Sequence, residues 1–375
     1  MSNEFEYTTL AHRYTAKFPL LTYVGTQANF WIITNFLLVI IMYFQFMIIS
    51  QNFNIPLSLN LRSIFFYSFI WGIVYGAVMG LSGYYLDRII FKKLSIGKVI
   101  LFKGLGALVL LSLLFGILKY FLSSTKLASS LNIPYLSITD DSWGYILALI
   151  LIYYFFMTLI ISFINQVNKK YGPGVLIPLL LGRYRNPKEE EKIFMFMDLK
   201  SSTTTAEKLG HLAYSSFIRD CFADINENLF PYHAQVYQYV GDEIVLMWPA
   251  REGIKNHHCI KFYFACKKRF KEKAQYYMSN YGLTPEFKAG VHIGMVTAVE
   301  IGEIKKNIAY HGDTLNTAAR IQSLCNEFDS EFLISENLLE RVGIGPNMTS
   351  AKIGQILLRG KTEKTGIMRV VWQDI

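Results

Sequence analysis

Apolar residues run almost without interruption through four stretches in the N-terminal half of the chain. Each reaches the roughly 20 residues that an α-helix needs to span a bilayer. A buried core helix is rarely so long and so apolar. The pattern predicts a four-helix transmembrane region over residues 29–166, built on Phe30 to Ser50, Ile64 to Leu86, Val99 to Leu122 and Trp143 to Asn165.

Lysine and arginine flank these stretches unevenly, and the positive-inside rule converts that bias into a topology. The two loops on the poorer side hold only Arg62 and Lys126. We therefore expect the N-terminal segment 1–28, and everything after Asn165, to lie in the cytoplasm beneath the cell (inner) membrane. The first stretch is too long and too far from the N-terminus for a cleaved signal. The richer side carries Arg13, Lys17, Arg88, Lys92, Lys93, Lys98, Lys169, Lys170, Arg183 and Arg185.

The predicted spans contain few polar residues, which favours an anchor or a membrane-embedded sensor over a transporter. Lys103 and Lys119 lie near span ends, where their ammonium groups can snorkel. Gly72, Gly76 and Gly80 recur every four residues and place three small residues on one helix face. Such a face favours helix association, either within the four-helix unit or in a dimer.

Residues 167–191 form a juxtamembrane linker. It contains an apolar patch around Val175 to Leu181, broken by Pro178 and too short to span a bilayer. Two interpretations stay open: a segment lying on lipid or on the next domain, or an element that couples helix movement to that domain.

After Lys192 the pattern becomes that of an α+β domain, residues 192–375. Ile193 to Asp198 is apolar up to its last position, as in a strand buried on both faces. Thr204 to Glu207 is a capping box that would begin a helix running to about Leu229, with a break near Gly210. The rest predicts a hairpin (Ala234–Val240 and Glu243–Trp248), a long helix (Gly253–Tyr277), strands (Phe287–Ile293 and Val296–Ile301), a helix (Asp313–Phe328) and strands (Glu331–Ser335, Gly354–Leu358 and Ile367–Trp372).

The order βαββαβ is that of the ferredoxin-like fold, and it brings two distant aspartates together. The first two strands run parallel with the third between them. The end of the first strand, at Asp198, and the hairpin turn, at Asp242, then share one sheet edge. Two close carboxylates repel each other unless a cation is bound, and Mg²⁺ uses few protein carboxylates besides phosphate oxygens. The sequence therefore predicts a metal site here.

A second constellation follows Gly312. Asp313 is a natural N-cap residue, which places Asn316 in the first helical turn and Arg320 one turn later on the same face. Taken alone, an Asn and Arg pair at this spacing usually lies on a solvated helix surface. The predicted metal site favours a functional role for this pair.

Across roughly Lys192 to Trp372 the chain resembles the class III nucleotidyl cyclases, the adenylyl and guanylyl cyclases. The motifs that carry the resemblance are Phe196 to Thr203, Gly241 to Glu243, and Asn316 with Arg320. The resemblance implies two Mg²⁺ or Mn²⁺ ions per active site, held by Asp198, Asp242 and the Leu199 backbone carbonyl. It further implies phosphate contacts at Thr203 and Gly241, ribose orientation by Asn316, and charge stabilisation by Arg320. The terminal phosphate would meet Arg359 or Lys361.

The same resemblance implies that each site is built from two catalytic domains. With one such domain, the chain would act as a homodimer through that domain, aided in one interpretation by the glycine face. Substrate would be ATP or GTP. The base-facing positions are Gln238, where adenylyl enzymes usually have lysine and guanylyl enzymes glutamate, and Ala309, commonly Asp or Thr in adenylyl enzymes. Because a glutamine amide both donates and accepts, these residues leave the base open, and we favour ATP on base rate alone.

Other functions fit less well. Diguanylate cyclases have a Gly-Gly-Asp-Glu-Phe hairpin, but Val240 stands where their first glycine would be. A catalytically silent member, or a transporter or receptor with an accessory domain, stays a rival. The net charge of +9 is shared between both halves and indicates no nucleic-acid partner. The four cysteines show no Cys-x-x-Cys spacing and are interpreted as core residues: Cys221, Cys259, Cys266 and Cys325.

Overall fold

The computed structural model describes residues 18–54, 61–89, 94–123, 140–171, 182, 184–303 and 306–373. The described residues fall into two compact units, one within Phe18–Leu176 and one within Ile177–Ile375. The apolar patch around Val175 to Leu181 lies outside the described residues, as do Arg13, Lys17 and Lys126.

The first unit consists of four long helices, as predicted. All four are long and apolar enough to cross a membrane, and most of their surface is exposed rather than packed inside the unit. Their apolar outer surfaces suit lipid, because in a bilayer hydrophobic side chains need no burial against protein. The helices are α1 (Pro19–Phe53), α2 (Leu61–Ile89), α3 (Ile96–Ser123) and α4 (Asp140–Tyr171).

The glycine face of α2 packs against α1 of the same chain. A Cβ atom on Gly76 would lie 2.5 Å from the Ala28 Cα, and one on Gly72 would lie 2.8 Å from the Ile32 Cα. Gly80 approaches Val24 in the same way. Packing within the four-helix unit is therefore confirmed, and the alternative that this face supports a dimer is wrong, because α1 already covers it.

Several polar groups in this unit are paired with each other. The Tyr154 hydroxyl donates to Asn35 Oδ1 at 2.6 Å and accepts from Trp71 Nε1 at 3.1 Å, which joins α1, α2 and α4. Lys103 forms an ion pair with Asp87 at 2.8 Å, both side chains being little exposed. Lys103, expected to snorkel, therefore has an acidic partner on α2; the side chain of Lys119 is not among those described.

The second unit alternates strands and helices. Its strands are β1 (Lys188–Leu199), β2 (Gln235–Val240), β3 (Glu243–Pro249), β4 (Phe287–Ile301), β5 (Asn307–His311), β6 (Phe332–Ser335), β7 (Met348–Ile356) and β8 (Thr365–Trp372). Its helices are α5 (Ser202–Glu227), α6 (Ala250–Ile254), α7 (His258–Glu272), α8 (Ala274–Tyr281), α9 (Asp313–Glu327) and α10 (Glu336–Val342).

The strands form one mixed sheet in the order β2-β3-β1-β4-β6-β8-β7, with β5 paired to β4. β3 is antiparallel to both β1 and β2, so β1 and β2 run parallel with β3 between them. The predicted βαββαβ core is thus confirmed in its first four strands. The side chains of β1 alternate between two apolar clusters: Met195 and Met197 on one face, Phe194 and Phe196 on the other.

Several predicted boundaries are wrong for local reasons. α5 begins at Ser202 after Ser201, whose φ is +54°, so Thr204 to Glu207 lies inside the helix and no capping box forms. The predicted break at Gly210 is present, with φ +73°. The long helix is divided where Asn256 and His257 also take positive φ, of 51° and 60°.

The sheet also differs from prediction. β4 is one continuous strand rather than two, and Gly294, between the two predicted strands, packs against Thr314 of α9: a Cβ there would lie 2.5 Å from Thr314 Oγ1. β5 and α10 were not predicted. The cysteines are free and buried, as predicted, and burial raises the pKa of each thiol above its ordinary value.

Candidate active site

Asp198 and Asp242 lie at one edge of the sheet, as predicted. Asp198 is the penultimate residue of β1 and pairs in register with Glu243, the first residue of β3. Asp242 directly precedes Glu243 in the two-residue turn between β2 and β3. Gly241 begins that turn with φ +61°, a conformation that glycine adopts without strain. Strand pairing therefore brings the two carboxylates together from positions 44 residues apart in the chain.

At this edge of the sheet, burial and nearby like charges disfavour the charged forms of Asp198 and Glu243. Burial, and next the neighbouring Asp242, raise the pKa of Asp198, whereas Lys288 and a hydrogen bond from Gln322 lower it. Burial followed by repulsion from Asp198 and Asp242 raises the pKa of Glu243 to about 7. Such mutual repulsion is relieved by a bound cation.

Asp198 and Asp242 fit a hard divalent cation. Carboxylate oxygens are the ligands that Mg²⁺ and Mn²⁺ prefer, and Mg²⁺ commonly takes only one or two of them, with phosphate oxygens and water completing the shell. Among the described residues no set of three or more His, Cys, Asp or Glu side chains is arranged to hold a metal ion. Two carboxylates are a donor set that fits a metal bound together with a phosphate ligand.

Two cationic or polar partners of Asp198 were not predicted. Lys288 of β4 pairs with Asp198 in the sheet register, and its ammonium group also donates to Asn326 Oδ1 at 2.6 Å. Gln322 of α9 donates to Asp198 Oδ2 at 3.3 Å. The signal for Lys288 was its place in the strand antiparallel to β1. Gln322 could not be found without knowing how α9 lies on the sheet.

The N-terminus of α5 lies directly after this edge. Thr203, in the first turn, is exposed, and free backbone amides at a helix N-terminus attract anions. Tyr214, further along α5, was also missed by sequence reasoning. Burial, then Asp242 and Asp198, raise the pKa of Tyr214 to about 12. This phenol therefore stays protonated close to both aspartates.

α9 carries Asn316 and Arg320 as predicted, but its start differs. The N-cap is Gly312, with φ +146°, and Asp313 is the first helical residue, so the prediction that Asp313 caps the helix is wrong. Asn316 is exposed in the first turn. Arg320 is half-buried, and its Nη1 atom is buried without a hydrogen-bond partner.

The turn after β7 brings the two candidate phosphate-binding cations near α9. Lys361 forms an ion pair with Asp313 at 2.7 Å, and its side chain is only 19% exposed. Arg359 is exposed. The two residues that the sequence left undistinguished therefore have different environments.

Gln238 lies on β2 and Ala309 on β5. Gln238 is exposed beside a register shift in β2, and Ala309 is buried in β5 opposite Val299. Their chain neighbours Tyr237 and Tyr310 pack edge to face, with ring centroids 5.3 Å apart.

The candidate residues fall into two groups by the elements that carry them. Asp198 and Asp242 lie at the end of β1 and in the β2–β3 turn, whereas Asn316, Arg320 and Lys361 lie on α9 and in the turn after β7, and α9 reaches Asp198 through Gln322. In the parts of the chain that the structure describes, no hydrogen bond or ion pair joins an aspartate of the first group to Asn316 or Arg320.

Known proteins resemble the C-terminal half of the chain. Residues 185–369 match the family model of the adenylate and guanylate cyclase catalytic domain. The chain is 33% identical over 208 residues to adenylate cyclase 2 of Rhizobium meliloti (strain 1021); the match covers 56% of this chain and 57% of that relative's length.

Two solved structures are also similar to the chain. One is the adenylyl cyclase CyaB from P. aeruginosa, at 18% identity and a TM-score of 0.44, covering 50% of this chain and 96% of that one. The other is the guanylate cyclase domain of RhGC from Catenaria anguillulae, at 16% identity and 0.41, covering 49% and 98%. Residues 185–369 of the chain therefore form a class III adenylate and guanylate cyclase catalytic domain.

Proposed function

We propose that the chain is a membrane-bound adenylate cyclase that converts ATP to 3′,5′-cyclic AMP and pyrophosphate for intracellular signalling. The observation that carries the proposal is the aspartate pair at one sheet edge of a cyclase catalytic domain that also retains Asn316 and Arg320. The choice of ATP is supported by the relative from Rhizobium meliloti, which is named an adenylate cyclase. Gln238 and Ala309 do not favour either purine.

Asp198, Asp242 and the Leu199 carbonyl would hold two Mg²⁺ or Mn²⁺ ions. Bound divalent ions neutralise triphosphate charge and make a nearby hydroxyl more acidic. The repulsion between the two carboxylates in a half-buried setting makes them strong ligands for such ions, and Lys288 limits the excess negative charge before substrate arrives.

The remaining residues would bind and orient the nucleotide. The exposed Thr203 and the N-terminus of α5 would contact phosphates together with the backbone at Gly241. Asn316 would orient the ribose, so that its 3′-oxygen faces the α-phosphorus in line with the bridging oxygen that leaves. As the new P–O bond forms and pyrophosphate departs, the 3′-hydroxyl proton passes to solvent. Arg320, whose buried Nη1 has no hydrogen-bond partner, would stabilise the added charge on the α-phosphate.

The active sites would form between two copies of the catalytic domain. The resemblance to the class III cyclases, which build each site from two catalytic domains, supports this interpretation: the aspartates of one copy would meet Asn316 and Arg320 of the other. Two equivalent sites per homodimer would result. The four apolar helices would place both domains on the cytoplasmic face of the cell membrane, as the distribution of Lys and Arg predicts.

The test is a product assay on purified full-length protein with Mg²⁺ or Mn²⁺, run in parallel on ATP and GTP. We expect cyclic AMP and pyrophosphate in equal amounts from ATP. Cyclic GMP as the main product would replace adenylate by guanylate cyclase activity. The absence of cyclic product from both nucleotides would contradict the proposal and favour a catalytically silent nucleotide-binding protein.

A further inference from the structure

Asp313 makes two side-chain contacts at the start of α9. Its Oδ2 atom lies 2.7 Å from Lys361 Nζ and accepts a hydrogen bond from Thr317 Oγ1 at 3.2 Å. Thr317 is fully buried, so the Asp313 side chain is held on the side that faces Lys361. A negative charge in the first turn of a helix is also stabilised by the helix dipole. Asp313 is therefore fixed although 62% of its side chain is exposed.

Lys361 belongs to a tight turn that packs on α9. The Lys361 amide donates to the Leu358 carbonyl at 3.0 Å, and Gly360 takes a φ of +73°. Leu358 is buried in one cluster with Ile321 and Cys325 of α9. The turn is thus attached to α9 at two points: the apolar contact of Leu358 and the ion pair of Lys361.

Between these two points the turn passes the guanidinium of Arg320. A Cβ atom built on Gly360 would lie 3.4 Å from Arg320 Nη2, so the guanidinium lies beside the backbone of the turn with room for little more than that one added atom between them. Because Arg320 is a long flexible side chain, the neighbouring backbone limits the positions that its guanidinium can take. Nη1 is buried and has no hydrogen-bond partner.

The geometry points to a brace: the Asp313–Lys361 ion pair holds the Leu358–Lys361 turn against Arg320. Asp313 is then a positioning residue for Arg320, and Lys361 serves the brace rather than the terminal phosphate. Arg359, exposed on the same turn, is left as the cation that can meet that phosphate. This inference rests on the proposed function, because it assigns the brace to the charge-stabilising arginine.

A double-mutant cycle tests the brace in full-length protein. Asp313→Asn keeps an acceptor for Thr317 but removes the charge; Lys361→Met keeps the aliphatic stem. We expect each to lower kcat for cyclic AMP formation about tenfold, with KM for ATP changed less than about twofold, because a displaced Arg320 acts only in the transition state. The double variant should be no worse than either single variant, since both break the same contact.

A matched ion pair in the same domain provides the control. Lys352 of β7 contacts Glu336, in the first turn of α10, at 2.6 Å. Glu336→Gln and Lys352→Met should leave kcat within about twofold of wild type, because this pair lies at another helix and touches no candidate site residue.

Two outcomes would overturn the brace. If Lys361 binds the terminal phosphate, Lys361→Met raises KM for ATP fivefold or more while Asp313→Asn does not. If neither variant lowers kcat beyond twofold, the ion pair does not position Arg320.

Hydrogen–deuterium exchange provides a readout that does not depend on turnover. The amides of residues 358–364 should exchange several-fold faster in Asp313→Asn and Lys361→Met than in wild type or the control variants. Unchanged exchange would contradict the brace even if wild type proved to make no cyclic nucleotide. Faster exchange in an inactive wild-type background would support the brace while the proposed function failed.

Discussion

The four-helix unit, which we call the membrane unit, and the catalytic domain differ in how some of their polar groups are paired. In the membrane unit, Asn35, Trp71 and Tyr154 satisfy each other across three helices, and Lys103 pairs with Asp87. In the catalytic domain, Asp198 and Asp242 are held close enough to repel each other. Polar groups that satisfy each other serve helix association, whereas like charges held together against their own repulsion indicate a binding or catalytic site.

We expect the largest effects from the candidate active-site residues Asp198 and Arg320. Asp198→Ala should abolish cyclic AMP formation in full-length protein, since it removes half of the charge pair that fits the metal. Arg320→Ala should lower kcat by roughly two to three powers of ten, as loss of a charge-stabilising donor does. Initial rates with both variants at saturating ATP measure this. Melting temperatures close to wild type would show that the loss is chemical; activity within tenfold of wild type would contradict the assigned roles.

A smaller effect, on stability, should come from the packed glycine face of the membrane unit. Gly76→Leu must force α1 and α2 apart, because its Cβ would lie 2.5 Å from the Ala28 Cα. We expect the melting temperature of the detergent-solubilised protein to fall by roughly 5–10 °C. Gly106→Leu in α3 is the control, since nothing lies within 4 Å of a Cβ there. Equal melting temperatures for the two variants would show that α1 does not cover this face.

The smallest effect should be a pH dependence inside the catalytic domain. Burial, and next the charge of Lys361, lower the pKa of His292 to about 4. The unfolded chain, with a histidine pKa near 6.5, therefore binds a proton between pH 6.5 and 4 that the folded chain does not. Stability from this group is present above about pH 6.5 and is lost as the pH falls towards 4.

Replacing His292 should remove this contribution to the pH dependence of stability. His292→Gln should reduce the loss of unfolding free energy between pH 7 and pH 5 by about 1–2 kcal/mol. Thermal or denaturant unfolding of both proteins at the two pH values measures the difference. An unchanged pH dependence would mean that His292 titrates normally in the folded domain.

The sequence predicted best what depends on long periodic patterns or on strand pairing. The four spans and the β1–β3 pairing that joins Asp198 to Asp242 follow from apolar runs and from one hairpin signal. The predictions that were wrong concern features that depend on contacts between distant segments. Gly294, between the two predicted strands, lies within β4 and packs against Thr314, and Asp313 binds Lys361 instead of capping α9. The contact of Gln322 with Asp198 depends on how α9 lies across the sheet, and the sequence alone does not show this.

The central claim is that each active site combines aspartates from one copy of the chain with Asn316 and Arg320 from another. The most direct measurement is cyclic AMP formation by co-expressed Asp198→Ala and Arg320→Ala chains carrying different tags, purified through both tags in sequence. Each variant alone should be inactive or nearly so. The mixed dimers should recover roughly half of the wild-type activity per dimer, because one of two sites is intact. No recovered activity in dimers shown to contain both chains would contradict the account.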